Sequence, residues 1–287
     1  MQIVTDSGMD LPQAQVEAYN IHVVPHRITL GGKTYISGVD LKSSELYRLL
    51  VQTRELPQTA APSPGDFAEV YRKLAKDDPD ILSIHMSSGL SAPLNAATAG
   101  REMVPEANIT LVDTRTLSAV LGWMVAASAR AIQAGWSVER IVAMIHAIGA
   151  ASDSVYTLDD LQYLIHGGRI SHMKGLIASM LHLRPLIGVS KPQGMYEQRG
   201  MARTFKGALE GLVKQMTQRY PDGTELRVQL GHAENPEAVK QLKVLIEPHF
   251  KCHWMEGCPM TPMMGAHTGP SMVGVAFAAL KDLPEMP

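Results

Sequence analysis

The chain has 287 residues, of which 45% are apolar and 19% charged, with 26 basic side chains against 28 acidic ones. At about 150 residues per domain this length suggests roughly two domains with ample core material, and the balanced charge excludes a general nucleic-acid binder. Aromatic residues make up only 5% of the chain while there are 17 methionines, so the interior is filled largely by flexible aliphatic and thioether side chains.

Cys252 and Cys258 cannot frame a disulfide scaffold in a chain this long and fit a reducing compartment. No basic segment followed by an apolar one stands at Met1–Asp6. The longest apolar stretch, Leu117 to Ala134, is interrupted by Ser118, Gly122, Ser128, Arg130 and Gln133. A soluble cytoplasmic protein is expected.

In chain order, Ile3-Val4 reads as a first strand ending at Thr5-Asp6-Ser7, followed by a short helix over Leu11 to Tyr19. Ile21 to Leu30 reads as one β-rich run closed by the turn Gly31-Gly32, with a second strand at Lys33 to Ile36. Ser43 is an N-cap candidate for the helix carrying Leu46, Leu49 and Leu50. The proline-rich segment Pro57 to Gly65 reads as a loop, Phe67 to Leu74 as a helix and Asp80 to Met86 as a strand. Ser87 to Pro93 is a small-residue turn into a helix over Leu94 to Met103. Such a turn lies at the carboxyl edge of a parallel sheet, where ligands usually bind. A strand at Asn108 to Val112 and helices at Leu117 to Gln133 and Val138 to Ile148 complete this half.

The cycle then restarts with a strand at Ser154 to Thr157, a helix at Leu158 to Ile165 and the turn Gly167-Gly168-Arg169. Leu183 to Val189 and Met195 to Gln198 flank Lys191 to Gly194 as a hairpin. Thr204 to Gln218 and Pro236 to Ile246 read as helices, Glu225 to Leu230 and Phe250 to Met255 as strands, and Met272 to Phe277 as an edge strand. The alternation predicts an α/β protein of two domains, 1–152 and 153–287, each a largely parallel sheet flanked by helices.

Familiar catalytic fingerprints are missing. Gly32-Lys33-Thr34 resembles the end of a phosphate-binding loop, but Arg27 stands where its leading glycine belongs. No G-x-G-x-x-G follows the first strand, and no G-x-S-x-G occurs. Cys252, His253, Cys258 and His267 have suitable ligand atoms for zinc at no standard spacing, and the cysteines read more simply as small core residues. Asp6 is either a catalytic carboxylate or the cap of its own turn. Thr59 puts a hydroxyl on a proline-restrained loop. Ser91 puts one at a helix start, where it is an N-cap or an anion ligand, and Pro93 removes one N–H donor there. Arg169 follows a helix end, and His267 lies in the glycine-bounded loop Gly265 to Pro270, presenting an imidazole to whatever lies above it.

Taken together, Val4-Thr5-Asp6-Ser7, Gln58-Thr59 with Pro62-Ser63, Ser87 to Ser91, Gly167-Gly168-Arg169-Ile170-Ser171, Arg203 to Ala208, His232 to Pro236 and Gly265 to Pro270 resemble the DegV family. The resemblance spans nearly the whole chain. It implies a two-domain α/β fold with one long-chain fatty acid in an internal tunnel and its carboxylate at the domain interface. By position it makes Thr59 and Ser91 the carboxylate-binding hydroxyls and places Arg169 and His267 near the head group, where the resemblance implies that they assist when a partner kinase acts. It also implies no cofactor and no catalysis by the chain alone. Many members are the binding subunit of bacterial fatty acid kinase, whose separate ATP-binding subunit phosphorylates the carboxylate for phospholipid synthesis. Ala60-Ala61 and Ala92-Pro93 depart from the family pattern and remove polar groups beside the head group. Rival readings are a stand-alone enzyme using Asp6 or His267 on a small phosphorylated or acylated substrate, and a sensor of lipid state.

Overall fold

A computed structural model describes residues 1–173 and 183–287. The first sheet has the order β2-β1-β6-β7, with β1 Gln2–Asp6, β2 Ile21–Val24, β6 Asp80–His85 and β7 Asn108–Asp113, all parallel. Its faces follow from the two-residue period of a strand. Val4 and Ile81 pack with Phe67 and Tyr71 of α3 (Pro64–Leu74) and Ala97 of α4 (Pro93–Glu102). Ile3, Leu82 and Ile84 face the other way, into a core shared with α5 (Ser118–Gln133) and α6 (Val138–Ala151). A buried polar chain, Tyr71 Oη to Ser83 Oγ (2.7 Å), Ser83 to His85 Nε2 (2.8 Å) and His85 Nδ1 to Asp6 Oδ2 (3.0 Å), satisfies the polar groups on the α3 face.

The second sheet runs β10-β9-β8-β13-β11-β12, with β8 Asp153–Thr157, β9 Arg184–Val189, β10 Tyr196–Ala202, β11 Glu225–His232, β12 Lys251–Trp254 and β13 Val273–Ala279. The α/β class holds, but the parallel arrangement expected in both halves is confined here to the β11–β12 pair. The other pairs are antiparallel. The expected edge strand β13 lies between β8 and β11 with every residue buried, because a continuous apolar run suits a strand covered on both faces. Helices α8 (Phe205–Arg219) and α9 (Pro236–Ile246) bury Leu212, Met216, Leu242 and Ile246 against it.

A third, small antiparallel sheet, β4-β3-β5, falls within two segments read differently from sequence. The run Ile21 to Leu30 is two strands, since Pro25-His26 ends β2 and starts β3 (Arg27–Leu30) in another sheet, where β4 (Lys33–Ile36) pairs with it. The proline-rich loop contains β5 (Gln58–Ala60), whose Thr59 pairs with Ile28; three residues between prolines carry no readable alternation. The remaining helices are α1 (Gln13–Ala18), α2 (Ser43–Thr53), α7 (Gln162–His166) and α10 (Pro262–Thr268). Ser43 is the first residue of α2 and not its cap, because its hydroxyl donates to the Met260 carbonyl at 2.6 Å.

That contact belongs to a seam that fastens the start of α10 to the first half of the chain. Met263 N–H donates to Ser37 Oγ (3.1 Å), Thr261 Oγ1 to the Ser7 carbonyl (2.8 Å) and Thr261 N–H to Asp10 Oδ1 (2.8 Å). Asp10 Oδ2 accepts from Ser118 Oγ at 2.6 Å, so one carboxylate joins the start of α5 to the start of α10. Asp10 is 4% exposed, and burial pushes its pKa from 3.8 up to about 6 against these hydrogen bonds. Between about pH 4 and pH 6 the folded protein then binds more protons than the unfolded chain, and stability falls as pH rises. The full effect is about 3 kcal/mol. Asp10→Asn keeps an acceptor for Thr261 and removes the charge. Urea unfolding is expected to show this variant gaining about 3 kcal/mol relative to the parent between pH 4 and pH 7, whereas a pH-independent difference would refute the role of the charge.

Candidate functional site

The loops after β1 and β6 converge with the start of β3. Ser7 Oγ lies 2.9 Å from His26 Nδ1 and accepts the His26 main-chain N–H at 3.0 Å. His26 Nε2 lies 3.3 Å from Ser91 Oγ. Ser91 does not cap α4: Ala92 occupies that position with no side-chain bond, and Pro93 begins the helix without an N–H. Its hydroxyl is committed to an imidazole.

The opposite wall comes from Arg169 and His267 of the second half of the chain, with Thr59 of the first half behind it. Thr59, placed beside β3 by the β3–β5 register, is 2.8 Å from His267 Nε2. His267 sits near the end of α10, where a plain loop was expected, and its Nδ1 is buried without a hydrogen-bond partner. Gly167 packs so closely on this ring that a Cβ there would come within 2.4 Å of Nδ1, which explains a glycine at that turn. Arg169 follows in the same turn and donates to the Leu90 carbonyl at 3.3 Å and to the Gly167 carbonyl. Ser91, Arg169 and His267 thus line one chamber with Leu117, Met263 and Tyr196. Thr59 reaches it through His267.

This polar chamber shares Tyr196 and Met264 with a second chamber whose walls are almost wholly apolar, including Leu158, Leu164, Ile187, Met260 and Met272. The two have volumes of about 10 and 20 Å³, each room for roughly one water-sized sphere.

Burial and the Arg169 charge hold the His267 pKa down to about 3, with His26 and His166 adding to the effect. His26 is held below its usual value first by burial, although Asp6 opposes this. With both imidazoles neutral at pH 7, Arg169 is the permanent cation of the chamber. Asp6, fully buried, accepts from Gly8 N–H (2.8 Å), Met86 N–H (3.0 Å) and His85, so the capping reading describes it and its oxygens are committed to the fold. Cys252 and Cys258 are free thiols, and burial raises the Cys252 pKa to about 11. Among the described residues no cluster of three or more His, Cys, Asp or Glu is placed to hold a metal, and no helix is long and apolar enough to cross a membrane.

Ser7, His26 and Tyr196 were not singled out from the sequence. His26 followed a proline inside a presumed strand, which hid it. The only available signal was a polar pair, Pro25-His26, interrupting an apolar run.

The family model described as an uncharacterised protein of the DegV family matches residues 1–280. A DegV domain-containing protein of Deinococcus radiodurans is 32% identical over 276 residues, 96% of this chain and 94% of that one. One from Staphylococcus aureus is 32% identical over 273 residues, 95% and 96% of the two chains. Among solved structures, a DegV family protein from Thermus thermophilus described by its fatty acid binding superposes with a TM-score of 0.88 at 27% identity, covering 97% of this chain and 99% of that one. DegV of Bacillus subtilis, described as a fatty acid binding protein, superposes with a TM-score of 0.86 at 25% identity over 97% and 98%.

Protonating His267 would place a charge on a buried ring beside Arg169. Its folded pKa lies below that of the unfolded chain, so stability falls as pH drops below about 6.5. In ligand-free protein the His267 ring resonances are expected to stay those of neutral imidazole from pH 8 down to pH 5, with an ordinary titration near pH 6.5 as the contrary result.

Proposed function

Since the chain belongs to the DegV family, we propose that it binds one long-chain fatty acid between residues 1–152 and 153–287, carboxylate in the polar chamber and tail in the apolar one. The observation that carries this is the adjacency of the two chambers, which share Tyr196 and Met264 as a common wall and so set a polar and an apolar end side by side for an amphipathic ligand.

Proton placement favours an anion. We assign the Ser7 proton to His26 Nδ1, since Ser7 Oγ already accepts the His26 main-chain N–H; in this tautomer Nε2–H donates to Ser91 and the Ser91 proton is free for a carboxylate oxygen. On His267 a buried bare nitrogen is better tolerated than an orphaned N–H, which puts the proton on Nε2, donated to Thr59, so that Thr59 fixes the ring from behind the chamber wall and its own hydroxyl proton stays available to a ligand that displaces the wall. Arg169 supplies the balancing charge.

Burying about 14 to 16 methylenes at ~0.8 kcal/mol each contributes on the order of 12 kcal/mol before ordering costs. To admit such a tail the methionine walls must turn aside, which their unbranched thioether chains do at little cost. With no phosphate-binding loop and Asp6 locked into the fold, the chain serves in this reading as a carrier that presents the carboxylate to a separate ATP-binding kinase in the cytoplasm.

Native mass spectrometry of protein from a bacterial host is expected to show a bound fatty acid. Protein that is empty and also fails to take up added oleate would refute the reading. Replacing Arg169 by Gln, or Thr59 and Ser91 together by Ala, is expected to weaken oleate retention about tenfold or more, one or two charge-assisted bonds being lost. Met264→Phe is expected to block the junction and abolish uptake, while Met264→Leu, which conserves volume, retains it. Oleate-dependent ATP consumption by the isolated chain would favour a stand-alone enzyme instead.

A further inference from the structure

A second cleft, of about 290 Å³, opens where the end of β7, the end of α6, the start of β8 and the β9–β10 turn meet, and it shares no lining residue with the two chambers. Its carboxylates are already served. Asp153 lies between Arg219 (3.0 Å) and Arg199 (3.5 Å), and Asp113 accepts from Ser88 Oγ (2.6 Å), Ser88 N–H (3.2 Å) and Arg115 N–H (3.1 Å). Its lysine and arginine are not. Lys191 and Arg115 rest only on main-chain carbonyls, of Ala150 and Pro192, and neither forms an ion pair with any described residue.

Two further features suit the cleft to an anion. Ser152, 2% exposed and on the lining, has a buried hydroxyl with no partner, a cost that a ligand oxygen would remove. Arg115 is held in the left-handed backbone region, φ 51°, where a non-glycine residue is strained, with its N–H on Asp113. Lys191 is exposed at the cleft mouth, and its pKa is pushed down to about 8, first by partial desolvation and then by the charges of Arg219 and Arg199. The volume, at the low end for ligand pockets, calls for a small molecule.

We propose that this cleft binds a small phosphate-bearing anion, its oxygens accepting from Lys191, Arg115 and the Ser152 hydroxyl. Two cations and a hydroxyl on the wall of one cleft match a dianion with several acceptor oxygens better than a single carboxylate. The inference is independent of the fatty acid reading, since no residue of the head-group chamber takes part.

The test is calorimetric titration of the full-length chain with inorganic phosphate at constant ionic strength. Saturable binding is expected, weakened about tenfold or more by Lys191→Gln and by Ser152→Ala and unchanged by Arg169→Gln, with a parent-like circular dichroism spectrum and cooperative urea unfolding in Lys191→Gln and Ser152→Ala as the check on folding. Three results would overturn it: no saturable binding, loss in Arg169→Gln with Lys191→Gln unaffected, which would send the anion to the head-group chamber, or acetate binding as tightly as phosphate.

Discussion

Asp10 is the pin of the molecule. Its carboxylate, buried at the end of the loop after β1, takes one hydrogen bond from Ser118 at the head of α5 and one from Thr261 just ahead of α10. An ionised group in such a place is costly, and the raised pKa is the measure of that cost. What it secures is position: α10 carries His267, Met263 and Met264, and the seam from Ser7 to Met263 holds that helix against β3, β5 and α2. Were α10 free to shift, the polar chamber would lose one wall and the apolar chamber another.

The two chambers divide labour by chemistry. On the polar side few groups are charged, and the hydroxyls are oriented by neutral imidazoles, Ser91 by His26 and Thr59 by His267. Burial keeps those rings uncharged, which leaves Arg169 to set the electrostatic sign of the chamber. On the apolar side, methionines replace rigid rings except at Tyr156 and Tyr196. Of the 17 methionines, Met86, Met260, Met263, Met264 and Met272 line the two chambers, where an unbranched side chain leaves the wall adaptable.

Much of the architecture was legible in the chain. Helices such as Pro236–Ile246 and strands such as β6 and β7 announce themselves through periodicity and caps, and the hairpin at Lys191 to Gly194 through its turn residues. The misreadings share one cause, that strand direction and sheet neighbours depend on partners far away in sequence. β13 looked like an edge because it ends the chain's pattern, yet it is central; β3 and β5 were merged or missed because each is short and pairs only with the other's neighbourhood. His267 was placed on a loop because Gly265 and Gly269 suggest one, although the helix between Pro262 and Thr268 tolerates Gly265 where Tyr47 crowds its backbone.

By itself the sequence determined the α/β class, most element positions and the residue types available for an anion site, because these rest on local propensity and periodicity. It also supplied the family resemblance that named Thr59, Ser91, Arg169 and His267. Only the tertiary structure decided that Ser7 and His26 stand behind Ser91, that Thr59 meets the chamber through His267, and that the second sheet is mainly antiparallel. It alone brought Arg115, Ser152 and Lys191 to one cleft. These are encounters between residues distant along the chain, and they are set by how buried surfaces pack, which no local pattern encodes.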